Sequence, residues 1–309
     1  MQDGSRRAVI AALLANLGIA IAKFAGFAIT GASSMLAEAI HSCADTGNQA
    51  LLLWGGTRGK LEPTPRHPFG YGRERYFWAF VVALMLFTLG GLFAVYEGAG
   101  KLMHPHAISS PGVAIGILLL GVALEGYSFR TAIVEAGKQR GQHSWWEFIR
   151  HTKSAELPVV LLEDLGALLG LVIAMLGIFL AMLTGDARYD AMGSIAIGVL
   201  LVAIAVVLAV EMQSLLIGEA ASLRDQEAIR SQLEGSEHVS RIIHMRTLHL
   251  GPDELLLAAK VEFDERLAFA DLARAIDAAE ARVREAVPAA RLIYIEPDVH
   301  RANREEAST

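Results

Sequence analysis

Residues 33–48 read SSMLAEAIHSCADTGN, an apolar segment interrupted at regular intervals by groups that carry or accept charge. Glu38, His41, Asp45 and Asn48 are spaced by three, four and three residues. On a helix that spacing stacks all four along one face. The other faces carry Leu36, Ala39, Ile40, Ala44, Leu51, Leu52 and Leu53, which suit lipid or packed neighbours. An ionisable side chain near the centre of a bilayer costs about 2.5–3.5 kcal/mol on insertion scales, so such residues tend to mark ion pathways. His41 lies about seven residues below the outer end of its predicted span, roughly 10 Å deep at 1.5 Å per residue, and Asp45 one turn deeper, close to the midplane.

The rest of the chain fits a membrane setting. Hydrophobic residues make up 53% of it and charged residues only 19%, against about 25% charged in a typical soluble domain; mean hydropathy is +0.41. Six segments reach the roughly 20 apolar residues that a helix needs to cross a bilayer: 8–30, 34–56, 74–99, 112–135, 156–182 and 190–216. The first follows Arg6 and Arg7 and is too long for a signal-peptide core, which predicts a retained span. Beyond residue 217 the chain alternates acidic, basic and apolar residues like a soluble domain. Two domains are expected, a six-helix all-α transport domain over 1–217 and a small C-terminal α/β domain over 218–309. A net charge of −6 argues against nucleic acid as a partner. The one cysteine, Cys43, rules out an intrachain disulfide framework and a Cys-rich metal cluster.

Orientation follows from the basic residues of the short connections. Arg6 and Arg7 precede the first span; Arg58, Lys60, Arg66, Arg73 and Arg75 lie between or beside the second and third; Arg130, Lys138, Arg140, Arg150 and Lys153 surround the connection of the fourth and fifth. The opposite connections hold little beyond Lys101 and Arg188. An integral, multi-pass protein with both termini cytoplasmic is expected, and a bacterial inner membrane is the expected location.

The fifth span supplies a second polar set, Glu163 and Asp164, within LPVVLLEDLGALL. Counted from the inner end, the pair falls at the depth of His41 and Asp45. These four side chains are the expected ligands of a divalent metal ion, with Glu38 and Asn48 as accessory groups. One histidine nitrogen with carboxylate oxygens makes a reasonable tetrahedral zinc shell. Carboxylates gathered in a low-dielectric bundle tend to hold protons without metal and to ionise around a dication, which gives a physical route to proton exchange. The expected cargo is therefore the metal itself, exchanged for protons, with no resident cofactor. The polar stripe could instead be interhelical glue in a scaffold or channel, although such a protein would not need matching depth on a second helix. No HExxH, GxSxG or P-loop pattern is present, which argues against an enzyme and against a self-contained ATP-driven pump.

These residues carry a resemblance. The run from Ser33 to Asp45, with its HxxxD pair, and His67-Pro68-Phe69-Gly70-Tyr71-Gly72-Arg73-Glu74-Arg75 leading into the third span resemble the cation diffusion facilitator family over nearly the whole chain. Tyr76, Phe77 and Trp78, then Tyr96-Glu97-Gly98, look most like the branch that includes zinc transporter 9. The resemblance implies a homodimer of six-helix units that exchanges zinc or a related cation for protons, with a cytoplasmic ferredoxin-like tail. One departure concerns the fifth span, where Val160 stands in place of the second histidine common among zinc members. Glu163 beside Asp164 is expected to compensate. The resulting oxygen-rich shell keeps zinc first but leaves manganese, iron(II) and cobalt open. In the loop after the second span Tyr71 and Thr64 replace expected ligands around His67, so no metal is expected there.

Of the remaining acids, Glu97 is expected near the outer end of the third span. Glu125, midway along the fourth, is a candidate proton relay or partner of Arg130. His104, His106, His143 and His151 fall in connections and are expected to be solvated. In the tail, Asp225 to Leu233 reads as a helix, Arg241 to Leu250 and Leu255 to Phe263 as strands, Ala268 to Val287 as an amphipathic helix and Ala290 to Ile295 as a third strand, the order αββαβ. Tyr294 and Ala259 stand where the resemblance implies histidine ligands, so dimerisation without tail-bound metal is expected.

Overall fold

Long apolar segments without internal proline satisfy their backbone groups as helices, since a bilayer core offers no water to do so. The computed structural model describes residues 3–300 apart from 107 and 109, with side chains from Leu17 onward. Arg6 and Arg7 thus lie outside the described side chains, and the end of the tail beyond 300 lies outside the described residues. The long helices are α1 (Asp3–Thr30), α2 (Ser33–Arg58), α3 (Glu74–Met85) continued through a π-helical turn (Leu86–Leu92) into α4 (Phe93–Met103), α5 (Pro111–Arg140), α7 (Glu156–Thr184) and α8 (Arg188–Ile217). Four of the described helices, with Glu74–Met103 taken as one, are long and apolar enough to cross a membrane. The described apolar part of α1, Leu17–Thr30, is shorter, and α2 is made more polar by its own stripe.

The helices overrun the predicted spans because charged flanks can stay helical outside hydrocarbon: α5 continues through Lys138 to Arg140. The sequence reading passed over α6 (Trp145–His151), a short helix in the connection to α7. Its start is fixed by a capping box, in which the Ser144 hydroxyl accepts from Glu147 N–H and the Glu147 carboxylate accepts from Ser144 N–H. His143 also pairs with Glu147 at 3.0 Å, and that hydrogen bond holds the Glu147 carboxyl below its ordinary range.

The chain divides into two units, Met1–Arg58 with Arg75–Gln213, and Gly59–Glu74 with Ser214–Thr309. In the first, α1, α2, α5 and α7 pack in the pairs α1–α2, α2–α7, α7–α5 and α5–α1, so that they form a closed ring of contacts, while α2 also packs on the π turn and α4. The buried positions of α7 include Glu163, Gly166, Ala167, Gly170, Leu171, Ala174, Gly177 and Ile178, the three-and-four spacing of one helical face. Glycine lets backbones approach closely where lipid provides no hydrophobic drive to associate. On α8, a Cβ added at Gly198 would meet Gly91 O and Val95 N, both at 2.7 Å. Backbone atoms cannot rotate aside, so Gly198→Ala is expected to cost roughly 1–3 kcal/mol by overpacking. Thermal unfolding in detergent checks this, and an unshifted midpoint would show that the α4–α8 contact is looser than described.

The second unit contains α9 (Leu223–Glu234), β1 (Val239–Gly251), β2 (Glu254–Phe263), α10 (Phe269–Ala286) and β3 (Ala290–Pro297). The element order agrees with the expected αββαβ. The sheet order is β1-β2-β3, with β1–β2 antiparallel and β2–β3 parallel. Leu255, Leu257, Ala259, Val261 and Phe263 alternate along β2 and bury one face, against Ile229 and Leu233 of α9 and Ala275, Ala279 and Val283 of α10. On the other face Lys260 reaches Glu296 at 2.9 Å and Asp298 at 3.1 Å, and these acids raise its affinity for a proton. The loop that separates α2 from α3 belongs to this unit, a grouping the linear sequence hides. His67 and Tyr71 stack there at 4.6 Å between ring centroids, and a Cβ at Gly72 would strike Leu250 O at 2.7 Å.

Candidate cation site

The polar stripe of α2 is its buried face. Ser34, Glu38, His41, Ser42, Asp45 and Asn48 are all buried, whereas Leu53 and Trp54 point outward. This inversion of the soluble pattern is what a helix lining an aqueous or ionic path requires.

Across from the stripe, α7 contributes Glu163. Its Oε1 accepts from Asn48 Nδ2 at 2.6 Å, and its carboxyl also lies within hydrogen-bonding range of Asp45. Asp45 Oδ1 is 3.4 Å from His41 Nδ1, one helical turn away. That separation is an ion-pair contact but not a formed hydrogen bond, because both ring nitrogens of His41 and the Oδ1 of Asp45 have no hydrogen-bond partner. Glu38 Oε1 and Asn48 Oδ1 are also unpartnered and buried. Buried polar groups are nearly always satisfied, so unpartnered groups concentrated on one helical face mark this stripe as the candidate site. A set so rich in lone pairs could hold a divalent cation.

The four expected ligands do not all converge. His41, Asp45 and Glu163 come together, with Asn48 holding Glu163, while Asp164 Oδ2 accepts from Ser128 Oγ of α5 at 2.9 Å. Consecutive residues on a helix point about 100° apart, so Glu163 and Asp164 cannot both face α2. Among the described residues no three His, Cys, Asp or Glu side chains adopt the geometry of a metal site. Glu125 lies within electrostatic reach of Glu38, Asp45, Glu163 and Asp164. It belongs to this cluster and, among the described ion pairs, has none with Arg130.

The π turn approaches the same place. A Cβ at Gly90 would lie 3.8 Å from His41 Nδ1, so a glycine of the irregular turn faces the imidazole. Such turns recur at functional sites because the extra residue redirects the helix face.

Three participants escaped the sequence reading. Lys23 of α1 is fully buried and donates to Glu38 Oε2 at 3.0 Å and to Ser42 Oγ at 2.6 Å. A lone cation in an apolar run was the available signal. Ser128 carried none. Asp190, the boundary residue of the last predicted span, is fully buried and accepts from Ser33 N–H at 2.8 Å, from Ser34 N–H and from both serine hydroxyls, with Lys101 at 3.2 Å. Lys101 is accordingly not the solvated connection residue that the charge tally made it. Its ammonium also donates to Gly31 O.

A family model described as the cation efflux transmembrane domain matches residues 9–217. The chain is also similar to the proton-coupled zinc antiporter SLC30A9, mitochondrial, of Xenopus laevis, with 32% identity over 266 residues, 85% of this chain and 48% of that protein. The Homo sapiens protein of the same name is 30% identical over 267 residues, 85% and 47% of the two chains. Metal tolerance protein C4 of Arabidopsis thaliana is 28% identical over 267 residues, 85% and 58%. The chain thus spans about half the length of the curated relatives it matches. Two of these names place their proteins in mitochondria, and the matches give no support to the expected bacterial inner membrane.

Proposed function

The chain belongs to the cation efflux family, of the zinc transporter 9-like kind, and from that premise we propose that it is a six-span antiporter that moves a divalent transition metal, zinc first, in exchange for protons. The observation that carries this reading is the pair of buried side chains with unpartnered polar atoms, His41 and Asp45, one turn apart on α2, with Asp45 beside the Glu163 carboxyl of α7. His41, Asp45 and Glu163 hold the cargo, Asn48 orients Glu163, and a turn of α7 from α5 towards α2 exchanges Glu163 for Asp164 at the site. Metal binding requires deprotonated ligands and therefore releases protons. The same carboxyls that take up the dication on one side thus carry protons back. Both termini lie in the cytoplasm, and the working unit is a homodimer with the small α/β domain as its ferredoxin-like tail.

A second reading keeps the mechanism and changes the metal. With one nitrogen donor among carboxylates, the shell is harder than a two-histidine site, which favours manganese, iron(II) or cobalt. Purified protein in liposomes, offered zinc, manganese, iron(II) and cobalt in turn, separates the readings. Uptake is expected to be fastest for zinc, to acidify the compartment that the metal leaves, and to rise several-fold when a pH gradient drives it. Equal uptake with and without protein would leave a non-transporting scaffold. Uptake without accompanying proton movement would remove the exchange but keep the transporter.

A further inference from the structure

We propose that Lys23 is a tethered cation beside the cargo site, whose fixed charge neutralises Glu38 and sets the affinity of the His41–Asp45–Glu163 centre low enough for release. This inference rests on the reading that those three residues hold the metal.

The geometry is that of a built pocket for one ammonium. Lys23 Nζ donates to Glu38 Oε2 and Ser42 Oγ, two residues four apart on the stripe of α2, with Ser42 next to His41 and one turn from Asp45. Two neighbouring helices make room with glycine. On α5, a Cβ at Gly121 would lie 3.6 Å from Lys23 Cε; on α7, one at Gly170 would collide with Glu38 Oε1. The lysine is close enough to act through space on Glu38, His41, Asp45 and Glu125.

An ion pair is a poor choice if the task is only to staple α1 to α2. Apolar residues of similar volume usually hold buried helices together as well or better, because both charges must be desolvated. A positive charge beside a cation path has another consequence. Charges a helical turn or two apart in a medium of intermediate dielectric interact strongly enough to change an ion's affinity by orders of magnitude. A carrier must bind its ion firmly enough to load and weakly enough to unload. Removing the ammonium would free the Glu38 carboxylate to act on the metal, and the centre would hold its cargo too tightly. Removing the Glu38 charge instead would leave the ammonium to repel the metal.

The test uses the full chain in detergent, with zinc titrated by calorimetry, for wild type, Lys23→Met, Glu38→Gln, the double variant and Asp45→Asn. Lys23→Met is expected to tighten zinc binding at least about tenfold and to slow turnover in liposomes. Glu38→Gln is expected to weaken binding by a similar factor, and the double variant, which has neither charge, to return to within about threefold of wild type. If Glu38 is itself a ligand, the double variant stays as weak as Glu38→Gln, and the proposal is wrong. Unchanged affinity in Lys23→Met, with only a lowered melting temperature, makes the pair a staple and also overturns it. Should Lys23→Met not fold, the comparison of Glu38→Gln with the charge-free double variant decides alone. Failure of the underlying reading looks different: wild type does not bind zinc, or Asp45→Asn binds as wild type does.

Discussion

Asp45→Asn is expected to lower metal uptake into liposomes at least about 100-fold while leaving the protein as stable as wild type or more so. The substitution keeps shape and one acceptor oxygen, so packing against α7 is preserved. It removes the formal charge that a dication needs in a low-dielectric site, and a factor of 100 corresponds to about 2.8 kcal/mol. It also removes a proton carrier, because an amide does not exchange its hydrogens for metal in this pH range. Stability moves the other way. Asp45 Oδ1 has no hydrogen-bond partner and lies 3.4 Å from His41 Nδ1, and the Glu163 carboxyl crowds the same side chain. An arrangement that is costly for the resting fold but matched to a cation is the usual trade between function and stability. Uptake by proteoliposomes and thermal unfolding in detergent give the two readings on one preparation. Asp164→Asn is expected to be milder, since Asp164 is hydrogen-bonded to Ser128 and turned from α2. Near-normal uptake by Asp45→Asn would remove the α2–α7 centre from the transport path, whatever happens to Asp164.

The difference between those two aspartates shows where sequence reading succeeds and stops. The α2 stripe was legible because helical periodicity converts spacing directly into a shared face, and the structure buries that face. Helix positions followed from hydropathy for the same reason. Strand β2 was legible through its apolar and β-branched content, and the structure buries its odd-numbered positions. What depth alone could not give was azimuth on α7: Glu163 and Asp164 fall at one level but on different faces, and only packing decides which neighbour each meets. Lys23 is passed over and Lys101 miscounted for a related reason. A positive residue counts towards orientation only if it remains in water, and both are buried on acids contributed by distant segments. Pairs separated by 15 and 89 residues leave no local pattern.

Asp190→Ala should produce the largest loss of stability in the helical unit, on the order of 3–5 kcal/mol, by stripping a buried cation of its counterion. Lys101 and Asp190 are buried together at 3.2 Å, and the same carboxylate receives the first backbone N–H groups and the hydroxyls of Ser33 and Ser34. Those N–H groups have no partner within α2, because the first turn of any helix lacks them. Helices usually meet this need with a side chain of their own. Here an acid from the start of α8 does so, and its negative charge also complements the positive end of the α2 dipole. One carboxylate therefore fixes where α2 begins, and with it the height and rotation of the stripe from Glu38 to Asn48. Thermal unfolding of Asp190→Ala is expected to show a drop of several degrees, and Lys101→Met added to it is expected to recover part of the loss by removing the stranded ammonium. If the single variant melts like wild type, the α2 start is held by something other than this carboxylate. If it melts early and the added Lys101→Met gives nothing back, capping of α2 rather than the buried pair is the larger contribution.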